Sequence, residues 1–380
     1  MGNIGFYVIV LVVGAVVTMA ADVPARIISE RVGYTALPDE RKVHEKLTPY
    51  GGGAAMLVGF CVALVAAAAI PQLRSVITSS HEMIGVLLAA GVIFVVGLLD
   101  DFRDMSAPAK VAGQVLAASI LYFSGCTMYQ LKLPFAGFVV LGPSILPLIT
   151  AAWVIALTNA INLIDGLDGL AGGIVAIASG TLCIYGLRLE DIGLLPVTNV
   201  GPLIAALTCG ICLGFLRDNF HPAKLFMGDA GALMLGLLMS ASTMVIGGRT
   251  PPASGVTFFF FAPLFIPVFI LGVPLIDAVW AFVRRTVSGQ GFHTPDKNHI
   301  HHRLMRLGHG QRRTVIILWL WTALLCSFVL FPLFEPRFNV FIPLGVAVLV
   351  IGLFFWSSPL WIRRRARQET SKASAKSSST

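Results

Sequence analysis

The chain has 380 residues, of which 56% are hydrophobic and only 12% charged, and its mean hydropathy is +0.84. A water-soluble globular domain, with about a quarter of its residues charged, is excluded by these values. The formal net charge of +8 would suit a nucleic-acid partner, but the basic residues lie beside apolar stretches rather than on a polar face. Anionic lipid and small anionic substrates therefore fit better than nucleic acid.

Apolar stretches of the roughly 20 residues that a spanning helix requires recur along the chain. They fall at 4–22, 51–70, 83–99, 108–124, 143–162, 169–187, 200–216, 229–247, 257–283, 313–331 and 339–358, which predicts eleven spans. The first lacks a basic leader and a clear cleavage site, so it reads as a retained helix rather than a signal peptide. The expected fold class is an all-α polytopic membrane protein. Residues 1–358 form one integral domain, and residues 359–380 a basic, Ser-, Ala- and Lys-rich tail without fixed structure.

Orientation follows from the positive excess on cytoplasmic segments. With the N-terminus outside and the C-terminus cytoplasmic, all but Arg74, Lys132, Arg188, Arg249 and Arg337 of the 27 basic residues lie inside. Seven of the eight histidines fall on that same face, leaving His81 outside. The six cysteines mostly lie within spans, which argues against a disulfide framework, and the Cys209/Cys212 pair has no second pair or nearby histidine to complete a metal site.

Five polar segments interrupt this pattern, in chain order. The first cytoplasmic loop carries Arg41, Lys42, His44 and Lys46 before Gly51, Gly52 and Gly53. Its cations can gather an anionic substrate and its glycines permit close backbone approach, although juxtamembrane basic residues are also ordinary. At the end of the third span stand Asp100, Asp101 and Asp104. Neighbouring helical side chains point about 100° apart, so the first two face one point only if the helix ends there; two such close carboxylates suit a shared magnesium ion or a general base, or they simply stop the helix in solvent.

Asn159, Asn162, Asp165 and Asp168 follow at three-residue intervals. Gly166 is expected to break the span there and open a polar cavity. The segment from Asn219 through Lys224 to Asp229 enters the eighth span. Asp229 could either bind a hard cation on a diphosphate or cap the helix, and Lys224 could meet a phosphate. Finally, His299, His301, His302 and Arg303 crowd the loop after the ninth span. No thiolate accompanies them, so they suit hydrogen bonding to a sugar phosphate better than zinc.

In this order the segments resemble the polyprenyl-phosphate N-acetylhexosamine 1-phosphate transferases over residues 1–356, and the WecA and TagO branch more than the MraY branch. The DGxDG segment at Asp165–Gly169, the FMGD at 226–229 and the HIHHRL at 299–304 carry the resemblance. It implies catalytic roles for Asp100, Asp101 and Asp229, with Asp229 as magnesium ligand and Asp101 assisting or also binding metal; manganese is the alternative ion. It implies substrate contacts at Lys110 (with Gln114), Asn162, Asp165, Asp168, Asn219, His299, His301, His302 and Arg303, joined by Lys224, Arg41 and His44 from their chemistry. The first loop departs from the family pattern at Ala36 and Leu47.

The implied reaction moves a sugar 1-phosphate, with N-acetylglucosamine favoured, from a UDP-N-acetylhexosamine to undecaprenyl phosphate at the cytoplasmic face of a bacterial membrane, releasing UMP. Direct attack and an aspartyl-phosphate route both remain open, as does a homodimer. The rivals are an MraY-like enzyme acting on a UDP-muramoyl peptide and a non-catalytic transporter.

Overall fold

The computed structural model describes residues 4–36, 48–133, 137–249 and 310–334. Helices dominate: α1 (Ile4–Val32), α2 (Gly52–Ala69), α3 (Pro71–Thr78), α4 (Glu82–Arg103), α5 (Ala107–Phe123), α6 (Leu146–Ile164), α7 (Leu170–Asp191), α8 (Gly201–Asn219), α9 (Gly228–Gly247) and α10 (Gln311–Phe334). Seven of them, α1, α2, α4, α6, α7, α8 and α9, are long and apolar enough to cross a membrane. The chain is a mostly helical, multi-pass membrane protein. The predicted spans 257–283 and 339–358 lie outside the described residues.

The mostly helical architecture agrees with the all-α expectation, and three local features depart from the expected spans and loops. Two short antiparallel pairs interrupt the helices, β1 (Thr35–Ala36) with β2 (Thr48–Pro49) and β3 (Gln130–Leu133) with β4 (Gly137–Val140). The eight-residue helix α3 was not anticipated, because its apolar content is too low for a span. Helix α1 continues through Pro24 to Val32 instead of ending near residue 22. Its 29 residues extend about 43 Å at ~1.5 Å each. That exceeds the ~30 Å hydrocarbon core, so the helix is longer than an upright span needs.

Helix α9 is the hub. It packs on α2, α4, α6, α7 and α8 and is buried along nearly its whole length, whereas α1 turns Val8, Val12, Val16 and Val23 outward. Lipid tails are as apolar as these side chains, so helix contact in a membrane depends on close fit through small residues. Gly97 of α4 shows the constraint: a Cβ there would stand 2.5 Å from the backbone nitrogen and Cα of Ala230.

The ends of α1, α4, α6 and α8 and the starts of α2, α5, α7 and α9 lie at one face, linked there by Tyr34 to Asp101, Lys110 to Asp229, the Gly53 amide to the Met227 carbonyl and Asn219 to the Gly169 amide. The opposite face is marked by Arg249 against Glu82 at 2.5 Å and by the Ser79 hydroxyl bonded to the Thr198 carbonyl.

Gly97→Ala should drive α4 away from α9 and lower stability by about 1–3 kcal/mol, the usual range for overpacking. Gly91, with nothing within 4 Å of its Cβ position, is the control: Gly91→Ala should leave the thermal unfolding midpoint of detergent-solubilised protein unchanged or slightly raised.

Candidate active site

Helix α4 stops because Asp104 adopts a left-handed conformation (φ 46°) and its amide bonds back to the Asp100 carbonyl at 3.0 Å. Asp is among the few residues that take this conformation readily. Asp100 reinforces the stop, its Oδ1 accepting the Met105 amide at 2.8 Å. Pro108 then sits in the first turn of α5, where a missing N–H is harmless, and brings Lys110 back towards the helix that has just ended.

The Lys110 ammonium donates to Asp100 Oδ2 at 2.6 Å and to Asp229 Oδ2 at 2.5 Å. One cation thus joins the end of α4, the start of α5 and the start of α9. The Asp100 side chain is 12% exposed and that of Asp229 34%, so Asp229 is the carboxylate more open to a ligand. Asn162, from the last turn of α6, lies beside Asp229, although its buried Nδ2 makes no bond of good geometry. Gln114, one turn along from Lys110 and fully buried, accepts from Asn159 Nδ2 at 3.1 Å.

Asp101 points elsewhere. Its Oδ1 accepts the amide of Asp229 at 2.8 Å and its Oδ2 the amide of Ala230 at 3.1 Å, while the Tyr34 hydroxyl donates to Oδ2 at 2.6 Å. Helix α9 has no side-chain cap of its own. The Asp101 carboxylate supplies one from another helix, meeting the unpaired N–H groups and the positive end of the helix dipole. Gly228 takes φ 67° directly before this cap, and a Cβ there would stand 2.6 Å from Asp101 Oδ2. The 100° between neighbouring helical side chains has divided the two aspartates between different tasks.

The expected break is present: α6 ends at Ile164 and α7 begins at Leu170. It is tied to the segment between α8 and α9. Asn219 Oδ1 accepts the Gly169 amide at 2.9 Å, and Asn219 Nδ2 donates to the Leu225 carbonyl at 3.0 Å. Buried Asp168 meets His221 Nδ1 at 2.7 Å and the Ala223 amide at 3.0 Å. Asn219 and Asp168 therefore act here as braces between two loops. Asp165 is half-buried at the break itself. Lys224 is 63% exposed and among the described residues pairs with Asp218, at 3.8 Å, so it lies outside the Lys110 cluster.

Arg41, His44, His299, His301, His302 and Arg303 lie outside the described residues. Sequence reasoning passed over Tyr34 and the pairing of His221. Tyr34 sits on no motif, and only the fold brings it to Asp101.

The donor set suits magnesium. Asp100 and Asp229 offer hard carboxylate oxygens, and magnesium is commonly bound by one or two carboxylates completed by water and substrate phosphate. Among the described residues no group of three or more His, Cys, Asp and Glu is placed to hold an ion.

The family model for glycosyl transferase family 4 matches residues 83–247, the stretch that runs from α4 to the end of α9 and holds Asp100, Lys110, Asn162 and Asp229. A decaprenyl-phosphate N-acetylglucosaminephosphotransferase of Mycobacterium tuberculosis is 38% identical over 346 residues, covering 89% of this chain and 85% of that protein. The chain belongs to glycosyl transferase family 4. A probable undecaprenyl-phosphate N-acetylglucosaminyl 1-phosphate transferase of Bacillus subtilis is 37% identical over 294 residues, covering 77% of this chain and 75% of its own length. An undecaprenyl-phosphate alpha-N-acetylglucosaminyl 1-phosphate transferase of Escherichia coli K12 is 29% identical over 350 residues, with 90% and 86% covered. This family member is a transferase whose polar cluster falls inside the matched region.

Lys110→Met would leave Asp100 and Asp229 facing each other without a counter-ion. We expect turnover to fall about 100-fold or more, as a charge-assisted pair at the site is lost. Adding Asp100→Asn should recover part of the lost thermal stability by removing one of the two opposed charges. A double variant less stable than Lys110→Met alone would contradict this account of the cluster.

Proposed function

We propose that the chain transfers N-acetylglucosamine 1-phosphate from UDP-N-acetylglucosamine to undecaprenyl phosphate, releasing UMP, as the first membrane step in building a cell-envelope glycan. The observation that carries this reading is the Lys110 ammonium shared by Asp100 and Asp229, in a chain whose relatives are named for such transfers to decaprenyl and undecaprenyl phosphate. A cluster of one cation and two carboxylates at the ends of spanning helices is suited to holding a diphosphate against a lipid phosphate.

In this mechanism an oxygen of the lipid phosphate attacks the sugar-bearing phosphorus of the donor. The bond from that phosphorus to the bridging oxygen breaks, and UMP leaves with the oxygen. Asp100, held by Lys110 and the Met105 amide, is placed to take the proton of the lipid phosphate. Lys110 offsets negative charge as the two phosphates approach, since like charges brought together in a water-poor site repel strongly. Magnesium held by Asp229 with Asp100 would supply neutralising charge at the donor's diphosphate.

The topology belongs to the same reading: eleven spanning helices, one integral domain over 1–358, the N-terminus outside and the C-terminus cytoplasmic. The Lys110 face is then the cytoplasmic one, which suits a nucleotide-sugar donor and the concentration of basic residues on that side. Arg41, His44 and the His299–Arg303 segment are assigned to the donor's phosphates and sugar, Lys224 to the entry path for anions, and the basic tail to anionic headgroups.

The decisive experiment incubates purified protein with magnesium, undecaprenyl phosphate and a panel of UDP-sugars and follows UMP. UDP-N-acetylglucosamine should give the highest turnover. Asp229→Asn should reduce it by about 1,000-fold or more, in line with the several kcal/mol that metal-assisted charge stabilisation supplies, while the unfolding midpoint stays near that of the wild type. Preference for a UDP-muramoyl peptide would reassign the donor, and absence of UMP with every donor would remove the enzymatic reading.

A further inference from the structure

Three separate pieces of chain meet over Asp101. Tyr34, directly after α1, stacks on Phe102 with ring centroids 4.4 Å apart and planes 20° apart, and lies against Tyr50 at 5.2 Å. Tyr50 lies against Phe226 at 6.1 Å and forms a parallel bridge with it. The backbone repeats these links: the Tyr50 amide donates to the Tyr34 carbonyl at 3.0 Å, the Phe226 amide to the Pro49 carbonyl at 2.9 Å, and the Gly52 and Gly53 amides to the Phe226 and Met227 carbonyls at 2.9 and 3.1 Å. The ring of Tyr34 is therefore fixed by stacking, and its hydroxyl has one acceptor in the described structure, Asp101 Oδ2.

The direction of that bond is also fixed. An ionised carboxylate has no proton to give, so the Tyr34 hydroxyl is the donor. Asp101 in turn accepts the two amides that open α9, and the first of these belongs to Asp229, whose side chain meets Lys110. Without the phenol, a carboxylate on the last turn of α4 would be held only by the amides it is meant to position.

We propose that Tyr34 is a positioning residue for the transfer: through its bond to Asp101 it holds the first turn of α9 in place and so determines where the Asp229 carboxylate stands. Asp101 is then the staple between α4 and α9 rather than a reacting carboxylate. This rests on the reading of Asp229 as the group that meets the donor's diphosphate. It adds a residue from the loop after α1 that touches neither substrate.

The test uses the purified full-length protein with Tyr34→Phe, which keeps the stacked ring and removes only the hydroxyl. Turnover should fall about 10- to 100-fold, the range for losing a hydrogen bond to a charged group, with the KM for the UDP-sugar changed by less than about threefold because no substrate contact is removed. Hydrogen exchange followed by mass spectrometry should show faster exchange at the Asp229 and Ala230 amides and unchanged exchange in the middle of α9. Asp101→Asn should produce the same local change, and the double variant should be no slower than the slower single variant, since both break one chain of bonds.

Wild-type turnover in Tyr34→Phe, or losses that multiply in the double variant, would overturn the proposal. So would rapid exchange of those two amides in the wild-type protein, a measurement that needs no variant to fold. The exchange experiment is independent of donor chemistry: if no UDP-sugar yields UMP but Tyr34→Phe still frees the two amides, the assigned reaction fails and the Tyr34–Asp101 staple stands.

Discussion

The site depends on how the end of α4 meets the start of α9. Two consecutive aspartates leave α4 about 100° apart, and the fold assigns each a different partner: Asp100 the Lys110 ammonium, Asp101 the opening amides of α9. Neither arrangement works unless the two helices come close, and Gly97 against Ala230 permits that approach. Removing Asp101 from the junction would leave unpaired N–H groups at a helix end with no cap of its own. Removing Lys110 would leave two carboxylates in repulsion. The carboxylate that pairs with Lys110 and the one that holds the helices are thus neighbours on one short segment.

A second set of contacts braces the far side. The break between α6 and α7 exposes backbone groups that lipid cannot satisfy, and in a membrane protein such groups must find partners within the protein. Asn219 and Asp168 provide them, reaching across from and to the segment between α8 and α9. Polar side chains this deep are retained for geometry as much as for ligand contact, and substituting them would disturb Asn162 and Asp229 indirectly. The Arg249–Glu82 pair and the Asn199 amide, bonded to the Val245 carbonyl at 2.8 Å, perform the corresponding task at the opposite face.

Membership of glycosyl transferase family 4 gives this arrangement a chemical setting. A transferase that joins a water-soluble anionic donor to a lipid phosphate must hold like charges together at the edge of an apolar layer. In the proposed function the half-buried Lys110 ammonium, flanked by the Asp100 and Asp229 carboxylates, serves that need. Close approaches through glycine, Gly97 against Ala230 and Gly53 against Gly231, keep those few groups in register.

Much of this was legible in the sequence, and for a clear reason. Hydrocarbon demands long apolar helices, so the seven helices long enough to cross could be read from hydropathy, and polar residues at the ends of such spans are rare enough that Asp100, Asn162, Asp165 and Asp229 stood out. The break at Gly166 followed from local chemistry too. The extension of α1 past Pro24, the helix α3 and the two short strand pairs were hidden, because the rules that identify spans are silent about polar segments between them. The division of labour between Asp100 and Asp101, the bracing roles of Asn219 and Asp168, and Tyr34 were decided only by tertiary structure. Those contacts join residues 67, 119 and 128 positions apart, and a local pattern reports which face of its own helix a side chain occupies but carries no information about which distant group will meet it there.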